Sequence, residues 1–549
     1  MKRAVTFVSL LLLPFVALQS AARPAREEWH FTDVTADAGF AYTHGFTGTP
    51  PGDLEAQTRF FAAGVAAGDY DRDGFPDVYV ARGSVGPNLL FRNRGDGTFE
   101  EVGAAAGVAG APAKSSGPVF GDIDGDGWLD LVVGAIEGGT TAVYRNRGDG
   151  TFADVSASSG LTYGIPQFST SLGDYDGDGD LDLLASHWAH DRRVSLWQND
   201  GSGHFTDVTF LAGLTAETNA FAPIFADVTN DGRLDIVSSG DFGTSVVYWS
   251  NGDGTFTQSD DPALTDENGM GSTVMDYDND GDLDWFVSSI WDPNGVAEGY
   301  WGVTGNRLYR NRGDGVFDDV TDEAGVRQGY WGWGSCFADF DNNGRPDIFH
   351  VNGAQLDQAT EFLADPARLF LARRKGKFEE SAAAKGIADT GQGRGILCFD
   401  YDGDGDLDVF IANNGGPPKL YRNDGGNEGA YLDVALRGAA PNTEAIGGRI
   451  YVRARATQMR EIRAGNNFEG ADPAVAHFGL KKAKRAKVCV RWPDGTETLQ
   501  EDVTTRQYLT IQQPAPPPSS AARRPRPTPS SCCASRGAWK RCFKQRGLG

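Results

Sequence analysis

One nine-residue pattern, D-x-D-x-D-G-x-x-D, recurs seven times in this 549-residue chain, with copies starting 49 to 63 residues apart. Position 1 is Asp69, Asp122, Asp174, Asp227, Asp276, Asp339 and Asp400. Position 3 is Asp71, Asp124, Asp176, Thr229, Asp278, Asp341 and Asp402. Position 5 is Asp73, Asp126, Asp178, Asp231, Asp280, Asn343 and Asp404. Position 9 is Asp77, Asp130, Asp182, Asp235, Asp284, Asp347 and Asp408, and position 6 is always Gly. Alternating oxygen donors around one tight turn suit a hard cation, and Ca²⁺ takes about six to eight oxygens. The Gly allows a backbone angle that side chains resist. These positions are therefore the expected ligands of up to seven structural Ca²⁺ ions. Thr229 and Asn343 each keep an oxygen but lose a charge, so the fourth and sixth loops are expected to bind more weakly. An EF-hand would need an acid at position 12 and flanking helices. Position 12 is Val80, Val133, Ala185, Ser238, Val287, His350 and Ile411, so the EF-hand fails in every copy.

The period near fifty, with a small-residue strand before each loop and a β-branched or aromatic run after it, points to sheets repeated around a ring. The expected fold is all-β: a seven-bladed β-propeller over 29–426, then a separate small β-rich domain over 428–513, where the period stops. The seventh unit lacks a fourth strand after Tyr421, while an orphan copy of that strand, Phe31–Thr35, precedes the first unit. The leading strand should complete the last blade and leave no exposed sheet edge.

Residues 1–22 read as a signal peptide: Lys2 and Arg3, an apolar run from Ala4 to Leu18, then small residues at Ser20–Ala22. The run is too short to span a bilayer comfortably, so the expected location is secreted, extracellular or periplasmic, with no membrane span. Residues 514–549 are rich in Pro, Ser and Arg and are expected to be disordered. The formal charge of −25 is largely ligand acidity, and no basic stripe exists in the body of the chain, which argues against a nucleic-acid partner. Cys336 and Cys398 precede their loops by three and two residues, an offset that places them on opposite strand faces, so they are not paired. Cys489 stands alone and Cys532, Cys533 and Cys542 crowd the tail, which is no disulfide scaffold.

Loops leaving the second strands and segments entering the first strands should meet on the ring face opposite the Asp loops. They carry Arg82, His187, Trp188, His190, Trp291, Asp292, Trp331, Trp333, His350, Asn352 and Arg394. Aromatics mixed with His, Arg and Asp in a funnel suit a sugar or a peptide. His187 and His190 are candidates for acid–base chemistry or for a transition metal. Three Arg-Gly-Asp stretches, at Arg94–Asp96, Arg147–Asp149 and Arg312–Asp314, read as turn chemistry between strands. No nucleophile elbow, zinc-protease helix, Walker loop or dinucleotide fingerprint occurs.

The Asp units followed by L-Y-R-N-x-G-D-G-x-F resemble the FG-GAP (VCBS-type) repeats of integrin α-subunit propellers. Ala445–Arg449, Arg460–Gly465, His477–Leu480 and Val490–Thr496 resemble the ASPIC/UnbV domain. In this order the two are similar to the cartilage acidic protein 1 family. The resemblance implies a secreted, calcium-binding propeller and no particular reaction. The chain departs from the vertebrate members in lacking the Cys pattern of an EGF-like module, and from the usual ASPIC loop in Gly465–Ala471. The function expected is binding of an extracellular protein or glycan, with Ca²⁺ structural in each blade. The alternatives are a calcium-dependent carbohydrate-active enzyme, a lyase or dehydratase using the funnel, and a structural surface protein assembled through the second domain and tail.

Overall fold

A computed structural model describes residues 28–47, 54–110, 114–136, 139–161, 167–188, 193–295, 302–354 and 362–515. Each Asp loop joins the first two strands of an antiparallel four-stranded meander. The first unit runs Gly64–Gly68, Asp77–Ala81, Leu89–Asn93 and Phe99–Glu101, and the same order recurs through the sixth. In the last unit, Gly393–Phe399, Asp408–Asn413 and Lys419–Asp424 are completed by His30–Asp33, whose Phe31 pairs with Asn423. The orphan strand thus fills the missing place. The first strands pack side by side from Gly64–Gly68 through Gly393–Phe399 and back to the start, so the seven sheets close a propeller-like ring.

Small residues line the inner strands because there is no room there. A Cβ added to Gly395 would lie 2.3 Å from the Glu469 carbonyl oxygen, and one on Gly334 would lie 2.2 Å from that of Arg394. Farther out, Asn residues clip neighbouring sheets together. Asn93 Nδ2 donates to the Tyr401 carbonyl at 2.7 Å, Asn146 to Tyr70 at 2.9 Å, Asn199 to Ile123 at 2.8 Å and Asn423 to Phe340 at 2.8 Å. Each clip ties a third strand to the preceding Asp loop, so the loops also hold the ring.

Cys336 and Cys398 form a disulfide across adjacent inner strands, with Cα atoms 6.6 Å apart, which corrects the expectation that they stay unpaired. Around a ring, the facing surfaces of neighbouring sheets are opposite faces. Phe337 packs back onto Tyr277 and Phe286 of the fifth sheet, so Cys336 faces the seventh. The offset taken to forbid the bond is the one that it needs. Cys489 is disulfide-bonded as well.

The second β unit has sheets of its own and packs against the ring. Its strands, among them Ala430–Arg437, Arg449–Arg453, Val475–Lys481 and Arg485–Arg491, form two small sheets over the Asp-loop face. The segment after Glu461 descends into the ring axis. The Ala464 carbonyl accepts from Leu172 N at 2.8 Å, Val65 N donates to the Glu469 carbonyl at 2.8 Å, and Gly470–Ala471 joins the first sheet as a parallel fifth strand. Phe468 sits at the centre, 5.3 Å from the Trp333 ring and 5.4 Å from that of Phe221. Apolar side chains thus fill the hole that converging inner strands leave. No helix of the described residues is long and apolar enough to cross a membrane. The signal-peptide expectation and nearly all of the tail fall outside the described residues.

Candidate metal centres

The repeated spacing dictates each loop's geometry. Position 6 Gly adopts positive φ, from 78° at Gly344 to 103° at Gly281, and turns its amide inward. The position 1 carboxylate accepts that amide, as in Asp122 with Gly127 N at 2.7 Å and Asp400 with Gly405 N at 2.9 Å. Position 5 accepts the amide of position 7, as in Asp126 with Trp128 N at 2.9 Å. Position 9 is fully buried and ties the third strand to the loop: Asp77 Oδ1 accepts Asn93 N at 2.8 Å and its Oδ2 accepts Tyr70 N at 3.2 Å. Positions 1, 3 and 9 then converge. Their carboxylate oxygens lie within 4.8 Å of one another in the first, second, third, fifth and sixth loops.

Such crowding is costly without a cation. Burial, with neighbouring carboxylates adding to it, pushes Asp130 and Asp400 up to about 8 and Asp69 up to about 6. Buried, crowded acids of this kind suit a hard divalent ion, although Asp124 of the second loop also meets Arg145 at 2.7 Å. Positions 1, 3 and 9 are the residues that would hold it, and the ion would supply the missing positive charge.

The second β unit roofs these loops. The Thr443 hydroxyl donates to Asp122 Oδ2, Tyr431 packs on Gly405, and Pro441 lies against Gly125 and Gly179. Both ring nitrogens of His477 meet acceptors, Asp433 Oδ1 and Asn342 Oδ1, each at 2.7 Å. Burial opposes charging this imidazole, but Asp433 outweighs it and raises the pKa, and the ring ties the roof to the sixth loop. A cleft of about 400 Å³ remains beneath the roof, lined by Asp69, Asp339 and Asp400 from the loops and by Arg437, Glu444 and Arg460 from above. Burial pushes Glu444 up to about 7, and its Oε2 has no hydrogen-bond partner.

The residues expected to line a funnel on the opposite face are mostly core, which corrects that expectation. Trp188 is buried and donates to Asp241 Oδ2 at 3.1 Å; Trp333 is buried and donates to the Gly353 carbonyl at 2.7 Å. Trp331 is buried against Phe362, and Asn352 and Asp292 are buried too. His187 Nε2 sits 2.8 Å from Ser195 Oγ, deep in its sheet. His350 is buried beside Asn306, and burial pushes its pKa down to about 3, so it stays neutral. Arg394 lies over the Trp333 ring at 4.2 Å and donates to the Phe60 carbonyl at 2.7 Å. Only Arg82 and Trp291 are half-buried at that face. His190 lies outside the described residues. The mixture of aromatics with His and Arg that suggested a binding funnel is instead largely the packing of a plugged axis. The sequence reading missed the plug and the roof because Phe468, Glu469 and Arg449 belong to no repeat.

The FG-GAP-like repeat model matches residues 69–133, 122–185, 187–238, 227–287 and 296–350, and the ASPIC and UnbV model matches 438–518. Human cartilage acidic protein 1 is 26% identical over 561 residues, covering 92% of this chain and 80% of its own. The mouse protein is 25% identical, over 88% of this chain and 77% of its own. The chain is an FG-GAP repeat protein homologous to cartilage acidic protein 1. Among solved structures, an Agrocybe aegerita protein that recognises non-reducing terminal N-acetylglucosamine is 20% identical with a TM-score of 0.39, covering 65% of this chain and 93% of its own.

Proposed function

We propose that this homologue is an exported, calcium-dependent binding module whose ligand is an extracellular protein or glycan. Ca²⁺ acts as structural cement in the Asp loops rather than as a reaction centre. The observation that carries this reading is the convergence of three carboxylates within 4.8 Å in loop after loop. Cations in the loops would stiffen the ring through position 9, which joins each loop to its sheet. The family of repeats supports a ligand-binding role, and the roof leaves the opposite face as the broad surface open to a partner. Several large apolar side chains stand exposed there, Phe210, Leu211 and Phe242 among them.

The test is an array of extracellular-matrix glycans and peptides probed with the full chain in millimolar Ca²⁺ and again in EGTA. Binding that appears in Ca²⁺, disappears on chelation and returns on recalcification is expected. A ligand held equally well in EGTA would show that the ions do not support the binding surface.

A further inference from the structure

The fourth Asp loop differs from the others in what already neutralises it. At position 3, where intact loops carry Asp, Thr229 turns its hydroxyl to Asp235 Oδ2 at 3.0 Å. At position 7 stands Arg233, whose guanidinium pairs with Asp231 at position 5. The remaining carboxylate, Asp227, meets Arg449 from the roof. Arg449 is 3% exposed; its Nη2 donates to the Asp227 carbonyl and lies 3.4 Å from Asp227 Oδ2. Its Nη1 donates to Asn230 Oδ1 at 2.5 Å within the same loop, and its Nε donates to Glu461 Oε2 at 3.0 Å. Glu461 is gripped in turn by Arg463 at 3.4 Å and by the amide of Asp227 at 3.4 Å. The guanidinium is thus fixed from both sides and cannot swing away without stranding buried charge.

Resting on the calcium reading of the other loops, we propose that the fourth loop takes no metal ion and that Arg449 of the roof is its cation. Two guanidinium groups face three carboxylates, which leaves the loop less negative than an intact four-Asp loop holding Ca²⁺. A divalent ion would lose one ligand to Thr229, would compete with Arg233 for Asp231, and would be repelled by Arg449. The donor set therefore does not fit Ca²⁺. The site has become a post on which the second β unit docks, and this contact does not depend on calcium. Arginine suits the role because its planar fork reaches a backbone carbonyl, a carboxylate and an amide oxygen together.

Diffraction from the full chain crystallised in excess Ca²⁺, with anomalous signal to locate the ions, tests this loop by loop. Ions in the first, second, third, fifth, sixth and seventh loops and none among Asp227, Asp231 and Asp235 are expected. An ion at the fourth loop beside Arg449 would overturn the proposal while leaving the calcium reading intact. Absence of ions from every loop would overturn both. In solution, the double variant T229D/R449Q should bind one more Ca²⁺ per chain than the native protein after dialysis and elemental analysis. An unchanged count in a variant with native circular dichroism would refute the claim that these two residues exclude the ion.

Discussion

The two faces of the ring are built on different principles. The Asp-loop face is periodic in sequence, rich in buried carboxylates, and covered by the second β unit. The opposite face is made of connections that vary in length and sequence far more than the Asp loops, and it carries most of the exposed large apolar side chains among the described residues, Val85, Phe210, Leu211, Phe242, Val303, Tyr330 and Leu363. Where sequence repeats, it serves the ring itself; where it varies, it faces outward. Position 9 Asp shows the first case, since each one ties a loop to its own sheet. Phe210 and Leu211 show the second. The matching turn of the first unit carries Ala104 and Ala105, and that of the fifth carries Asp322 and Glu323.

The largest effect that separates the faces should come from removing divalent ions. Extracellular Ca²⁺ sites have dissociation constants of about 10⁻⁴–10⁻³ M. At a tenfold excess each adds about 1.4 kcal/mol, so six sites add roughly 8 kcal/mol, comparable with the net stability of a domain. Calorimetry in EGTA should give a melting temperature lower by roughly 8 °C. An identical melt in Ca²⁺ and EGTA would erase the distinction between the faces.

Next in size is the plug that joins roof to ring. F468A should cost about 3–5 kcal/mol in urea unfolding, because the site is ringed by aromatics that cannot collapse into the space. A loss below about 1 kcal/mol would mean that the descending loop is not packed. Replacing both Cys336 and Cys398 by Ala should cost about 2–4 kcal/mol, since the bond closes a segment of 62 residues. Equal melts for native and double variant would show that ring closure needs only the leading strand.

The pH response should follow the loop carboxylates, which are raised in the fold. A raised Asp binds protons in the folded state at pH values where the unfolded chain has released them. Metal-free protein should therefore lose stability as pH rises from about 4 to about 8, through the folded values near 6 and 8 of Asp69 and Asp130. In Ca²⁺ the slope should flatten. A metal-free protein that gains stability over that window would contradict the burial of these groups. The smallest effect belongs to the open face: F210S/L211S should move stability by no more than about 0.5 kcal/mol, while weakening capture on the array. A variant that melts much earlier would show that these side chains are packed rather than presented.

Much of the ring was legible in the sequence because it is repeated chemistry. The loop spacing, the strand that follows each loop and the orphan strand Phe31–Thr35 all lie where their pattern placed them. The funnel was misjudged because Trp188, Trp333 and His350 look alike in sequence whether they face solvent or a plugged axis. Parity along a strand was read correctly for Cys336 and Cys398, but the conclusion needed the facing geometry of neighbouring sheets. Arg449 was invisible because a charged residue on an alternating strand normally faces water, whereas here the loop beneath supplies the acid.

Hydrogen exchange of the full chain in Ca²⁺ and in EGTA tests the central claim most directly, because it reports on both faces at once. The account predicts that chelation speeds exchange in the Asp loops and in the descending loop, 463–472, while the fourth loop and the connections of the opposite face change least. Exchange that is unaltered by chelation, or that accelerates evenly over both faces, would contradict it.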